Sequence, residues 1–178
     1  MSIVIEKMIS RRSIRKFKLD MVPDEMLERI ARAGTFAPSG MGKQSPIIIV
    51  VKDKRTRDRL SNFNANVLGT AKDPFFGAPV VIVVLADKSI PTYLYDGSLV
   101  MGNLLLATHD LGLGGCWIHR AKEVFDSSEG KALLKDWEIT GDYEGIGHCI
   151  VGYISAVGVL TKMVAKAAPR KDNYVYYI

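Results

Sequence analysis

Cysteine and histidine are scarce in this chain, with two of the first and three of the second among 178 residues. Cys116 and Cys149 lie far apart and match neither a zinc-site spacing nor a CxxC pair. That excludes a disulfide scaffold and a cysteine-built metal centre, and it predicts free thiols in a reducing compartment. The histidines show no triad spacing, so hydrolase chemistry is not indicated and no metal site is expected. No apolar run approaches ~20 residues without a charge or a helix breaker, which argues against a membrane span. Glu6 and Lys7 stand where a secretory leader would carry its apolar block, so the expected location is the cytoplasm. Excess charge is also small: 24 Lys plus Arg against 19 Asp plus Glu give a formal +5. Such a balance suits an anionic ligand but not, by itself, a nucleic-acid surface.

What is present is a 48% hydrophobic composition, enough for an ordinary core in a single domain spanning 1–178. Helices and strands alternate without repeats or linkers. Ile3 to Ser10 reads as a short helix. Pro23, Asp24 and Glu25 open a second, whose apolar face is Leu27, Ile30 and Ala31. Continuous β-branched runs at 46–52 and 78–87 read as buried strands, with a helix over 53–68 between them. A long helix over about 93–111 ends in a glycine-rich turn and leads to a short strand at 115–119. A polar helix near 127–136 and a strand at 147–155 complete the pattern. The aromatic end "YVYYI" would be exposed unless it pairs with a neighbouring subunit. Strands separated by helices predict an α+β or layered α/β domain with a central sheet.

Three polar stretches carry the candidate chemistry. "APSGMGKQSP" (37–46) holds glycines beside a lysine, but it follows a helix and lacks the GxxxxGK[ST] spacing of a phosphate loop. Gly112, Gly114 and Gly115 lead from a helix into a strand, the reverse of a dinucleotide fingerprint. "RRSIRKF" (11–17) places Arg11, Arg12, Arg15 and Lys16 within six residues; if helical, Arg11 and Arg15 share a face. Arginine forks suit phosphate oxygens. Arg170 and Lys171 form a second basic pair near the other end.

In combination and order these stretches resemble the nitroreductase family of FMN-dependent flavoproteins. The matching residues are Arg11, Arg12, Ser13 and Arg15; Ala37, Pro38, Ser39 and Gln44; Asp96 with Asn103 to Ala107; Leu111 to Ile118; and Arg170. The resemblance implies a three-layer α+β fold with a central mixed sheet flanked by helices. It also implies an intertwined homodimer whose C-terminal tail reaches the partner, with FMN bound between the subunits. Arg11 and Ser13 would then hold the ribityl phosphate together with Arg170 and Lys171, while Arg12 would offer mainly backbone. Pro38, Ser39, Gly40 and Gln44 would approach the ring from the second subunit. Cys116, Trp117, Ile118 and His119 would lie along it, with His119 either structural or a hydrogen-bond donor. Arg15 would sit near the N1 and C2 carbonyl pole. The implied reaction is hydride transfer from NADH or NADPH, through flavin N5, to nitroaromatic, quinone-like or other conjugated acceptors in a ping-pong scheme. Other flavin reactions on the same scaffold, such as dehalogenation or desaturation, and a non-catalytic flavin-binding protein are the alternatives. Gly42 stands where the family often has asparagine, and Gln44-Ser45-Pro46 replaces the usual QPW, which implies a different substrate pocket.

Overall fold

A computed structural model describes residues 2–156 and 167–178. The chain runs α1 (Ile3–Ser10), α2 (Asp24–Thr35), a 3-10 turn (Gly40–Gly42), β1 (Pro46–Val51), α3 (Lys54–Leu68), β2 (Val80–Asp87), α4 (Tyr93–Asp110), β3 (Gly114–Ile118), α5 (Ala121–Asp126), α6 (Ser128–Asp136) and β4 (Tyr143–Gly152). The helix boundaries follow local chemistry. Asp53 caps α3 by accepting from the Thr56 amide at 2.7 Å, and Gly69 at φ +71° closes it. Ser127 ends α5 and caps α6, so one expected helix near 127–136 is preceded by a second, unexpected one.

The sheet order is β1-β2-β4-β3. β2 at its centre is buried on both faces, as its unbroken "VVIVVLA" run dictates. Its alternate residues serve two cores. Val80, Ile82 and Val84 pack with Leu27 and Ile30 of α2 and Val100, Met101 and Leu104 of α4. Val81, Val83 and Leu85 pack with Leu60 of α3, Val124 and Phe125 of α5 and Leu133 of α6. Period-two alternation thus produces the helix–sheet–helix layering expected from the sequence.

The sheet is less mixed than expected. All four strands pair antiparallel, and parallel pairing among the described residues is confined to the single bridge Ser13–Gly115. A helix between two strands does not force them parallel. Val51 pairs with Val81, so the α3 excursion starts and finishes at the same end of the sheet.

Residues 11–17 are also not helical. At Arg11 the backbone turns extended (φ −55°, ψ 136°). Ser13 then bridges to Gly115 and Phe17 to Ile154, and Ile14 is buried. Pairing with strand edges and burying Ile14 outweigh one more helical turn. Arg11 and Arg15 are therefore about 13 Å apart along an extended segment rather than one turn apart. The aperiodic stretch from Gly158 lies outside the described residues as far as 166, and 167–178 carries turns but no strand.

Candidate functional site

The N-terminal cations gather where α1 meets the C-terminal end of α4. Ser10 Oγ and His109 Nε2 are 2.9 Å apart, and Lys7 Nζ lies 3.4 Å from Asp110. Arg12 donates to the carbonyls of Ile9 (2.6 Å) and Arg11 (2.7 Å), so its guanidinium closes the end of α1. Arg11 differs from it. Its Nη1 is buried and has no hydrogen-bond partner among the described residues. Burial, then the nearby charges of Lys7 and Arg11, push the His109 pKa down. A buried guanidinium N–H left unpaired is costly, so this corner of the molecule calls for an anion. Its neighbour Ser13 is pinned to β3: besides the bridge, the Ile14 amide donates to Gly115 O at 3.0 Å.

That pinning brings the first basic cluster against the strand carrying Cys116, Trp117, Ile118 and His119. Side chains alternate along it. Cys116 and Ile118 are buried in the α3–α5 layer, so they can offer only backbone to a ligand. Trp117 turns to the α4 side, where its buried Nε1 has no partner among the described residues. It lies against Gly147, where any Cβ would collide with it. His119 is exposed, and its carbonyl accepts from Asn64 Nδ2 at 2.8 Å. Asn64 Oδ1 in turn accepts from Arg120 Nε at 3.1 Å. This fully buried asparagine of α3 fixes the turn at the strand's end, and nothing in its local sequence marks it out.

Residues 37–46 form a separate cradle. Met41, Gly42 and Gln44 all have positive φ (53°, 66° and 52°), a tight path that the two glycines ease but do not wholly explain. Asp96 holds this path in place. Its carboxylate accepts from the Gly40 amide (2.9 Å), Ser45 Oγ (2.8 Å) and Thr92 Oγ1 (3.0 Å), and the residue is 2% exposed. Burial alone would raise its pKa, but the bonds from Gly40, Ser45 and Thr92 outweigh that and hold it below the ordinary carboxylate range. Ser39 Oγ accepts from the Gln44 amide at 3.0 Å, closing the turn from inside. Pro38, Ser39, Gln44 and Asp96 border a cavity of about 460 Å³ with Arg32 and Val100. Asp96 was legible only as part of a helix motif. The signal for its role is that it is the sole acid between Tyr93 and His109 of a mostly apolar helix.

The two clusters sit at opposite ends of α4. Asp96 lies in its first turn and His109 in its last, about 20 Å apart along the axis. Within one chain, therefore, the structure joins residues 11–13 to 115–119 and keeps 38–44 apart from 11–13. Arg15 is exposed, with its guanidinium 5.8 Å from the centre of the Phe76 ring. Arg170 and Lys171 are exposed.

The class is a helix–sheet–helix fold with a basic corner at one sheet edge, where an anion would pair with Arg11. The model of the nitroreductase family matches residues 8–73 and 68–153, and the chain belongs to that family. An NADPH-flavin oxidoreductase of Vibrio harveyi is 33% identical over 129 residues, covering 66% of this chain and 54% of the relative. A nitroreductase from Desulfitobacterium hafniense, solved with bound FMN, superposes with a TM-score of 0.83 at 26% identity, covering 100% of both chains. One from Bacteroides fragilis, also solved with FMN, gives 0.88 at 20% identity over the whole of both chains. The chain spans about three fifths of the length of the curated relatives it matches, 59% and 65% for two archaeal proteins.

Proposed function

We propose that this chain is a single-domain, FMN-dependent oxidoreductase that takes hydride from NADH or NADPH and passes it to small conjugated electrophiles. Nitroaromatic and quinone-like compounds are the acceptor class, and donor and acceptor alternate in one site. The observation that carries this reading is the buried Nη1 of Arg11, without a partner among the described residues and set on the same sheet edge as the 115–119 strand. A phosphate monoester would satisfy that N–H while a ring lies along the strand. The FMN-bound D. hafniense neighbour and the V. harveyi relative support the same reading.

The residues present fit the cofactor. Arg11 and Ser13 would hold the phosphate, with Arg170 and Lys171 closing over it. Arg12, whose guanidinium is committed to the carbonyls of Ile9 and Arg11, would contribute backbone. The backbone of Cys116 to His119 would run beside the ring, its end held firm by Asn64. Arg15 would face the pyrimidine edge, where negative charge gathers on reduction, and favour that charge. Bound FMN would supply the hydride chemistry itself, accepting and donating at N5.

The separation of the two clusters along α4 bears on assembly. If Pro38, Ser39, Gly40 and Gln44 meet the same ring as Arg11, a second copy must supply them, so the active form is a homodimer with shared sites. A cytoplasmic setting is consistent with two buried free cysteines. No helix among the described residues is long and apolar enough to cross a membrane.

The test is direct. Purified protein should be yellow, and its flavin band should bleach anaerobically with NADH or NADPH and recover with a nitroaromatic or a quinone. Arg11→Ala should weaken FMN binding roughly 10- to 100-fold, the loss of a charge-assisted hydrogen bond. Protein that cannot be loaded with FMN would refute the proposal. Loading without NAD(P)H turnover would favour a non-catalytic flavin-binding protein, and turnover restricted to halogenated substrates would favour dehalogenation.

A further inference from the structure

Two adjacent phenylalanines follow α3 and point opposite ways. Phe75 is fully buried, whereas Phe76 is 42% exposed and takes φ +54°, a region that is costly for a bulky side chain. The surrounding structure over-determines that conformation. Asp73 Oδ1 accepts from Ser61 Oγ (2.5 Å) and the Phe75 amide (2.8 Å). Its Oδ2 accepts from Arg57 Nη2 (2.5 Å) and the Gly77 amide (2.7 Å). Arg57, itself buried, donates through Nε to Ala78 O at 3.0 Å and stacks over Phe75 at 5.4 Å. The backbone on both sides of Phe76 is thus bonded to one ion pair, whose arginine is buried and whose carboxylate is partly exposed. Closing such a turn needs only glycine or asparagine at position 76, at no steric cost and without exposing an aromatic ring. The ring at that position has one partner of functional interest. The Arg15 guanidinium lies 5.8 Å from its centre, within cation–π range, and no hydrogen bond or ion pair of Arg15 is found among the described residues.

We infer that Phe76 is a positioning residue for Arg15: the strained loop presents its ring as a platform that holds the guanidinium toward the pyrimidine edge of the flavin. The inference rests on the flavin reading above and adds to it a residue outside every basic cluster. An extended arginine on a surface segment samples many rotamers, and a stacked one arrives pre-ordered at the place where charge develops.

The test compares Phe76→Leu, which keeps bulk and strain but removes the π face, with Phe76→Tyr, which keeps the face. Each is made in the wild-type and Arg15→Met backgrounds. In wild type without FMN, the Arg15 Nε–H resonance should be shifted upfield by the ring, and Phe76→Leu should abolish the shift. With FMN, Phe76→Leu should weaken binding about 2- to 5-fold, the size of an exposed cation–π contact, and move the flavin potential to a more negative value. Phe76→Tyr should restore both, and Phe76→Leu should add nothing once Arg15 is methionine. A Phe76→Leu effect of equal size in the Arg15→Met background would overturn the inference, as would unchanged potential and binding in Phe76→Leu. Failure of wild-type protein to bind FMN would instead overturn the flavin reading and this role with it; the resonance shift would still report whether the contact exists.

Discussion

His148 lies fully buried between the rings of Phe75 (5.2 Å) and Phe125 (6.1 Å). Burial pushes its pKa down to about 4. The backbone of Ile118 and His119 is close enough to pull weakly the other way, yet neither ring nitrogen has a hydrogen-bond partner among the described residues. The folded protein therefore keeps this ring neutral, while the unfolded chain protonates it near 6.5. Between those values the unfolded state binds more protons, so the His148 contribution lowers stability as pH drops from about 6.5 to about 4 and adds no further loss below. The shift corresponds to roughly 3 kcal/mol. His148→Met, similar in volume and without a titrating group, should remove that part of the acid sensitivity when melting is followed from pH 7 to 4. Cys149 behaves in the complementary way: burial holds its thiol at about 12, which makes it packing rather than a nucleophile.

Among the elements, α4 does the most to place the site, and one glycine sets its seat on the sheet. β4 bulges where Val84 pairs with Gly147 but Leu85 pairs with Gly145, leaving Ile146 as the extra residue. Ile146 presses on α4 at Gly97, where an added Cβ would lie 2.5 Å from Ile146 Cγ1. The next residue toward the N-terminus is Asp96, which carries the 37–46 cradle. Gly97→Ala should destabilise the protein by about 1–3 kcal/mol through overpacking, although alanine is the better helix former. Ile146→Ala should relieve the clash in the double variant, so the two changes should be strongly non-additive in denaturant titrations. At this scale the sequence was highly legible. Periodicity and caps placed nine elements within a few residues of where they lie. It was silent where pairing partners decide the outcome: over 11–17, where a sheet edge removes the conditional helical face of Arg11 and Arg15, and in the strand directions, where Val51 opposite Val81 makes the pairing antiparallel.

At the scale of the whole molecule, α1 is the conspicuous surface. None of its residues is buried, and Ile3 (70%), Met8 (58%) and Ile9 (60%) face solvent beside a groove bordered by Ala33, Leu106 and Ala107. The tail adds Tyr174, Tyr176 and Tyr177, the last 96% exposed. The homodimer proposed above would cover this apolar helix and aromatic tail and would bring together the two clusters at opposite ends of α4. Sedimentation should show a dimer at micromolar concentration. Removal of residues 167–178 should weaken FMN binding and shift the assembly toward monomer, whereas a wild-type monomer that binds FMN normally would contradict the shared-site arrangement.

The sequence by itself determined the kind and order of nine of the elements and the burial of β2 on both faces. Those depend on periodicities and propensities that are read along a few neighbouring residues. Only the tertiary structure decided which residues meet. Ser13 lies against Gly115, Arg11 is left with a buried N–H, Asp96 gathers the Gly40 turn, and Asp73 forces Phe76 outward toward Arg15. Each of these rests on groups distant in the chain competing for hydrogen bonds in a packed interior. No local pattern records the outcome of that competition.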